Sequence, residues 1–193
     1  MSAVLGLKLS AECSSAPSEL DASFRVVYRD HFQLVWRGLK RLGVTEASLE
    51  DAVQDVFLIV YRRWHDFEGR SQLKTWIYGI AVRIAKDYRR AEARRSRRVQ
   101  RLAELTAAEP DSTAPADQAE RREANRLCYR ALGSLGDEER AVFVLVELEE
   151  LSVREAATAL QLHVRTCQRR LKSARRTFER AVTRELAARR PVP

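Results

Sequence analysis

Cysteine is too scarce and too scattered in this chain to cross-link it. Cys13, Cys128 and Cys167 are the only three in 193 residues, which excludes a disulfide-framed secreted fold and makes the cytoplasm the expected compartment. Long apolar runs are missing as well. Stretches such as Val56–Tyr61 fall far short of the roughly 20 residues that a membrane span requires. The apolar segment Val4–Leu9 has no basic leader, so neither a signal peptide nor direct membrane insertion is expected. Glycine numbers seven, and no glycine-rich phosphate loop, nucleophile with its base, or pair of acids with catalytic spacing can be assembled. His163 and Cys167 share a helical spacing, but no further ligands accompany them and Cys167 falls on an apolar stripe. The expectation is therefore no enzyme, no metal, no cofactor and no small-molecule substrate. Alternating β-branched segments and internal repeats are also lacking, so no sheet or solenoid is expected.

Acid is the minority charge. Against 35 Lys and Arg stand 27 Asp and Glu, a formal net charge of +8, with a pI near 9.9. Such an excess repels itself unless a polyanion neutralises it, and nucleic acid is the first candidate, ahead of an anionic membrane surface. The most informative stretch is Leu151–Arg176. Ser152 and Glu155 have the spacing of a capping box, opening a short helix from Val153 to Leu160. After one tight turn, Val164, Cys167, Leu171, Ala174 and Phe178 recur every three or four residues and form one buried stripe. At about 100° per residue, the opposite face carries Arg165, Arg169, Lys172, Ser173 and Arg176. Those side chains are suited to a major groove, where arginine pairs with guanine and lysine holds phosphate.

Upstream, residues 1–20 read as a disordered tail and residues 21–98 as an N-terminal helical domain. Its first helix runs from Leu20–Phe24 to Leu42 and stops at Gly43. A second, Leu49–Trp64, turns Val53, Val56, Phe57, Val60, Tyr61 and Trp64 inward, with Asp51, Asp55, Leu58 and Arg62 outside and Ile59 at the edge. The third, Leu73–Arg98, buries Trp76, Ile77, Ile80, Ala81, Ile84, Ala85 and Tyr88. Its second half is strongly basic, an accumulation that like-charge repulsion disfavours unless polyanion contact relieves it. Pro110 and Pro115, with small and acidic residues around them, mark a flexible linker over 99–121. A C-terminal domain over 122–190 then holds a helix Ala124–Leu132, another capped by Asp137 over Glu138–Leu148, and the helix-turn-helix. Its last helix is expected to run to about Arg190, with no third domain after it. The fold class is all-α: two small helical domains joined by a flexible linker, the second containing the helix-turn-helix.

The segments DAVQDVFLIVYRRW (Asp51–Trp64), FEGRSQLKTWIYGIAVRIAKDYRR (Phe67–Arg90) and LSVREAATALQLHVRTCQRRLKSAR (Leu151–Arg175), in this order, resemble the extracytoplasmic-function (ECF) sigma factors of bacterial RNA polymerase. The resemblance covers about residues 22–95 and 122–180, as sigma regions 2 and 4. It implies that Asp51, Gln54, Asp55, Leu58 and Ile59 dock on the clamp helices of core RNA polymerase. It implies that the Glu68–Lys74 loop and the helix after it open the minus-ten element. There Gly69, Ser71 and Gln72 would hold an unstacked base, Arg83, Lys86 and Arg90 would track the melted single strand, and Lys74 would belong to the same minus-ten surface. Trp76 is open to stacking on a base, although its place in the apolar stripe favours packing. Duplex minus thirty-five DNA would be read by Arg165, Thr166, Arg169, Lys172, Ser173 and Arg176. The resemblance further implies an anti-sigma factor that clamps the two domains. The chain departs from the family at Val82 and Arg83, where many members carry Arg-Asn, at Gln161, where a turn glycine is common, and at Arg165, where a small residue is frequent. These departures bear on base preference. A left-handed Gln161 would cost about 1 kcal/mol.

The competing reading is a classical helix-turn-helix regulator whose N-terminal helices dimerise or sense a signal. It leaves the acidic outer face of the second helix and the arginine-rich third helix without a role. A nucleic-acid-processing enzyme would need a carboxylate or histidine cluster that the chain does not offer.

Overall fold

A computed structural model describes the backbone of residues 19–103 and 119–188, and the side chains of residues 23–96 and 123–188. Of the tail expected over 1–20, Glu19 and Leu20 already belong to the first helix and the rest lies outside the described residues; the linker expected over 99–121 is helical at both ends, over 99–103 and 119–121, and its middle lies outside the described residues. Within them the chain is all helical and contains no strand.

Helix α1 (Glu19–Arg41) ends as Gly43 dictates. Gly43 adopts φ of +91°, its N–H bonds to the carbonyl of Lys40 at 3.0 Å, and Val44 N–H reaches back to Leu39 at 3.1 Å. That pair of bonds satisfies carbonyls the helix end would otherwise leave open. Helix α2 (Glu46–Arg62) starts one turn before the expected Leu49 and buries Leu49, Ala52, Val53, Val56, Phe57 and Val60, the three-and-four spacing of one packed face. Tyr61, expected inside, sits at the rim instead, exposed with its ring 5.0 Å from that of Phe24. A short 3-10 turn, Trp64–Asp66, leads to α3 (Leu73–Ala103), which packs on both α1 and α2. Ile77, Ile80, Ala81 and Ala85 are buried as expected, while Trp76, Ile84 and Tyr88 are only half-buried. Thr75 and Tyr78 are buried too, outside the expected stripe.

The second domain comprises α4 (Ala119–Gly133), α5 (Asp137–Phe143), α6 (Val153–Leu160) and α7 (Val164–Ala187). Asp137 does not cap α5. Gly136 holds the cap position and Asp137 is the first helical residue, its carboxylate paired with Arg89 of α3 at 2.7 Å. The single helix expected to Leu148 stays α-helical only to Phe143 and continues as a π-helical turn, Val144–Leu148. That wider turn closes with Glu149 N–H on Val144 and Leu151 N–H on Leu145, each at 3.0 Å. Glu150 takes a left-handed φ of +58°, and Glu149 is left facing inward, 6% exposed.

Helix α6 begins with the expected capping box: Ser152 N–H donates to Glu155 Oε2 at 2.8 Å, and Glu155 N–H donates to Ser152 Oγ at 3.2 Å. The hydrogen bonds from Ser152 hold the Glu155 carboxyl below its ordinary range. A depressed carboxylate contributes stability above its unfolded pKa and loses it as pH falls through the folded one. Ser152→Ala is therefore expected to cost about 1 kcal/mol at neutral pH and less in acid. Thermal unfolding of both proteins at the two pH values checks this; equal melting temperatures at neutral pH would contradict it. The helix ends at Gln161, which is left-handed (φ 55°, ψ 44°). Gln161 N–H bonds to Thr158 at 3.1 Å and Leu162 N–H to Ala157 at 2.8 Å, the closure that glycine usually serves. Gln161→Gly is expected to raise stability by up to about 1 kcal/mol, read as a higher unfolding midpoint.

In α7, Cys167, Leu171, Ala174 and Ala181 are buried, and the Phe178 ring stacks on Phe143 at 4.6 Å. Val164 departs from the expected stripe. In the first turn of the helix it remains 39% exposed, so the buried face begins at Cys167. The helix closes at Ala187, short of the expected Arg190.

The two domains share one continuous cluster of buried apolar residues. Helix α3 lies directly on α6. Gly79 permits this approach, because a Cβ there would stand 2.9 Å from the Ala159 carbonyl oxygen.

Candidate polymerase and nucleic-acid interfaces

The residues singled out in the sequence occupy three separate surfaces. On α2, Asp51, Gln54 and Leu58 are exposed and Asp55 and Ile59 half-buried. Leu58 is 43% exposed, one turn after Asp55 and one turn before Arg62. Asp55 is tethered, since Tyr88 Oη of α3 donates to its Oδ2 at 2.8 Å. Burial, the Asp55 bond and the nearby Asp51 charge push the Tyr88 hydroxyl up to about 12, so it remains a donor at neutral pH. Beside Leu58 and Gln54 runs a groove floored by Phe24, Tyr28, Phe32, Trp36 and Phe57. Sequence reasoning missed this groove. Its signal is the i, i+4 series Phe24, Tyr28, Phe32, Trp36, whose successive rings lie 6.4, 5.5 and 5.8 Å apart.

The second surface is the loop before α3 and the helix itself. Gly69 has φ of +70°, Gln72 is exposed and Ser71 half-buried. Arg70 is occupied by Glu68. Trp76 packs its ring 5.3 Å from Phe67, which lies 6.3 Å from Trp64, so packing rather than an open stacking face describes it. Lys74 is half-buried, and its Nζ donates to the Glu149 carbonyl at 2.5 Å. Arg83 and Arg90 are exposed and Lys86 half-buried along one side of α3, and none of the three forms an ion pair among the described residues.

The third surface is α7. Arg165, Arg169, Lys172, Ser173 and Arg176 are exposed and Thr166 half-buried. Arg170 and Arg175, on the flanks, are neutralised by Glu138 and Glu147. Arg165, Arg169, Lys172 and Arg176 meet no carboxylate among the described residues. A helix in a helix-turn-helix with its outer cations unpaired and its flanking cations paired presents a focused positive field to a groove.

Among the described residues no three His, Cys, Asp or Glu side chains gather as metal ligands, and no helix is long and apolar enough to cross a membrane. The Sigma-70 region 2 family model matches residues 27–95, and the Sigma-70 region 4 model matches residues 126–178. The ECF RNA polymerase sigma-E factor of Escherichia coli K12 is 31% identical over 145 residues, covering 72% of this chain and 76% of that protein.

The chain belongs to the ECF sigma factors.

The ECF sigma factor SigX of Bacillus subtilis is 29% identical over 166 residues, 83% of this sigma factor and 86% of SigX. The fold matches CnrH, solved in complex with the cytosolic domain of CnrY, at a TM-score of 0.61 and 23% identity over 88% of this chain and 90% of CnrH. It also matches the sigma factor RpoE of Bartonella quintana, solved with the anti-sigma factor NepR, at a TM-score of 0.61 and 20% identity over 83% of this chain and 97% of that one. Family membership makes this sigma factor a transcription initiation factor that works with RNA polymerase.

Proposed function

We propose that this sigma factor carries core RNA polymerase to promoters by reading a minus thirty-five element as duplex through α7 and opening a minus-ten element with the loop before α3 and α3 itself. The observation that carries the reading is the unpaired cationic row Arg165, Arg169, Lys172 and Arg176, exposed on the second helix of a helix-turn-helix. Arg165 and Arg169 are the candidates for base edges, and Lys172 and Arg176 for phosphate. Thr166 and Ser173 add hydroxyls to the same interface. On the other domain, Arg83, Lys86 and Arg90 track the displaced strand, and Gly69, Ser71 and Gln72 hold an unstacked base. Lys74, whose ammonium also donates to the Glu149 carbonyl, borders the same surface. Asp51, Gln54, Leu58 and Ile59 dock on the polymerase, with Asp55 held in place by Tyr88.

Tethering two readers by a linker raises their joint affinity through effective concentration, which fits a protein that must engage two elements at once. The neighbours CnrH and RpoE were solved with CnrY and with the anti-sigma factor NepR, which supports an anti-sigma partner for this chain, acting in the cytoplasm.

Co-elution with core RNA polymerase tests the reading. The purified, partner-free chain is expected to travel with core polymerase on size exclusion. A folded chain that never does so, yet binds duplex DNA alone, would favour the classical regulator.

A further inference from the structure

The packing of α3 on the second domain leaves a hollow of about 210 Å³. Val82 and Ala85 of α3, Ala141 of α5, Leu160 at the end of α6 and Leu162 in the turn after it form its apolar lining. Val82, Leu160 and Leu162 are only half-buried, so three aliphatic side chains remain partly uncovered around one space. The rim is charged, and unevenly. Asp137 and Glu138 of α5 stand there, but each is already taken, Asp137 by Arg89 at 2.7 Å and Glu138 by Arg170. Arg83 and Lys86 of α3 also line the hollow, and neither meets a carboxylate among the described residues.

We propose that this hollow binds a small organic anion: an aromatic or branched aliphatic body that carries one carboxylate or phosphate, the body against Val82, Leu160 and Leu162 and the charge on Arg83 and Lys86. An apolar body takes the half-covered side chains out of water, and an anion answers the unmatched positive charge at the rim. Apolar walls with a few polar groups at one side are the usual make-up of a small-molecule site, and a seam between domains is a usual place for one. Size narrows the class. An apolar cavity of about 150 Å³ accepts a benzene ring, so 210 Å³ leaves room for such a ring and a short charged arm. It falls short of the roughly 300 Å³ from which drug-sized ligands start.

Arg83 and Lys86 are also two of the three α3 cations assigned above to the melted strand. An anion held between them competes with strand phosphates for both, which makes the ligand an effector of promoter opening rather than a substrate. That consequence rests on the promoter reading, whereas the site itself does not.

Phenylacetate and phenyl phosphate are the probes, titrated by calorimetry into the full chain. Phenylacetamide supplies the body without the charge, and acetate and inorganic phosphate the charge without the body. At least one probe is expected to bind with a Kd between about 10 μM and about 1 mM, the range open to a ligand of about ten non-hydrogen atoms. The tighter of the two identifies the anionic group, and the three controls should bind about tenfold more weakly or worse. Two variants place the site. Val82→Phe fills the hollow with a ring of its own and should abolish binding, and Arg83→Gln with Lys86→Gln should weaken it about tenfold. Circular dichroism checks that both keep the helical fold. No binding by either probe, binding no tighter than the controls, or binding that either folded variant retains undiminished would each overturn the site. With the site standing, the tighter probe at about ten times its Kd is expected to lower chain-dependent promoter opening severalfold. Unchanged opening would overturn the competition for Arg83 and Lys86 and leave the site, whereas no opening even without the probe would overturn the promoter reading instead.

Discussion

Asp51→Arg combined with Leu58→Ala is expected to weaken binding to core RNA polymerase by about a hundredfold or more. Leu58 is the large aliphatic side chain that α2 leaves exposed, one turn after Asp55. Removing an anchor of that kind typically costs about 2 kcal/mol when it fills a partner's pocket, and each 1.4 kcal/mol or so is a factor of about ten. Reversing Asp51 adds like-charge repulsion against any surface that attracts the acidic face. Asp55 is left intact in this variant because it is bonded to Tyr88 of α3, so changing it would disturb the packing of α2 on α3 as well as the surface. Duplex DNA binding through α7 serves as the internal control. Loss of polymerase affinity with unchanged DNA affinity locates the docking face, and unchanged polymerase affinity would remove α2 from it.

The second large effect concerns α7. Arg165→Ala with Arg169→Ala is expected to reduce affinity for the upstream promoter duplex between about thirtyfold and about twenty-thousandfold, since each bidentate base contact is worth about 1–3 kcal/mol. The loss should fall on specific duplex far more than on unrelated sequence. Lys172→Ala should behave differently, weakening all duplexes alike and lowering the salt slope by about 0.9 for the one phosphate contact it removes. Fluorescence anisotropy over a salt series separates the two patterns. A double arginine variant that loses specific and non-specific binding equally would reassign both residues to the phosphates.

The parts of this fold that are legible in the sequence are those decided within one or two helical turns. The Ser152–Glu155 capping box, the stop at Gly43 and the span Val153–Leu160 all rest on hydrogen bonds between near neighbours, and all stand where local chemistry puts them. The outward face of α7 is legible for the same reason, because a 3.6-residue period fixes what opposes Cys167 and Leu171. Contacts between distant segments are not legible. Tyr78 falls off the apolar stripe of α3, yet it is fully buried, its ring against Gly38 of α1 and its hydroxyl on Glu149, 71 positions away. The bond of Lys74 to a carbonyl 75 positions away has no local sign in the sequence either. Arg140 looks like one more surface arginine, yet it is 6% exposed and gives its Nε–H to the Leu132 carbonyl at 2.7 Å. Burial, with Arg89 alongside, draws its guanidinium down to about 10. The π-helical turn at Val144–Leu148 has no sequence signature at all, and it is that turn which brings Glu149 inward. The aromatic series on α1 lies in plain view, but periodicity alone assigns such residues to a core and does not reveal that their far edge stays open.

Promoter opening is the most direct test of the central claim. Core RNA polymerase, the chain and a promoter fragment mapped from chain-dependent start sites are combined without ATP, and unpaired thymines are read by permanganate. The account predicts reactivity confined to the minus-ten region and present only when the chain is added, with loss in an Arg83→Ala, Arg90→Ala variant that still binds polymerase. A chain that binds the duplex and polymerase while the DNA stays fully paired would contradict it.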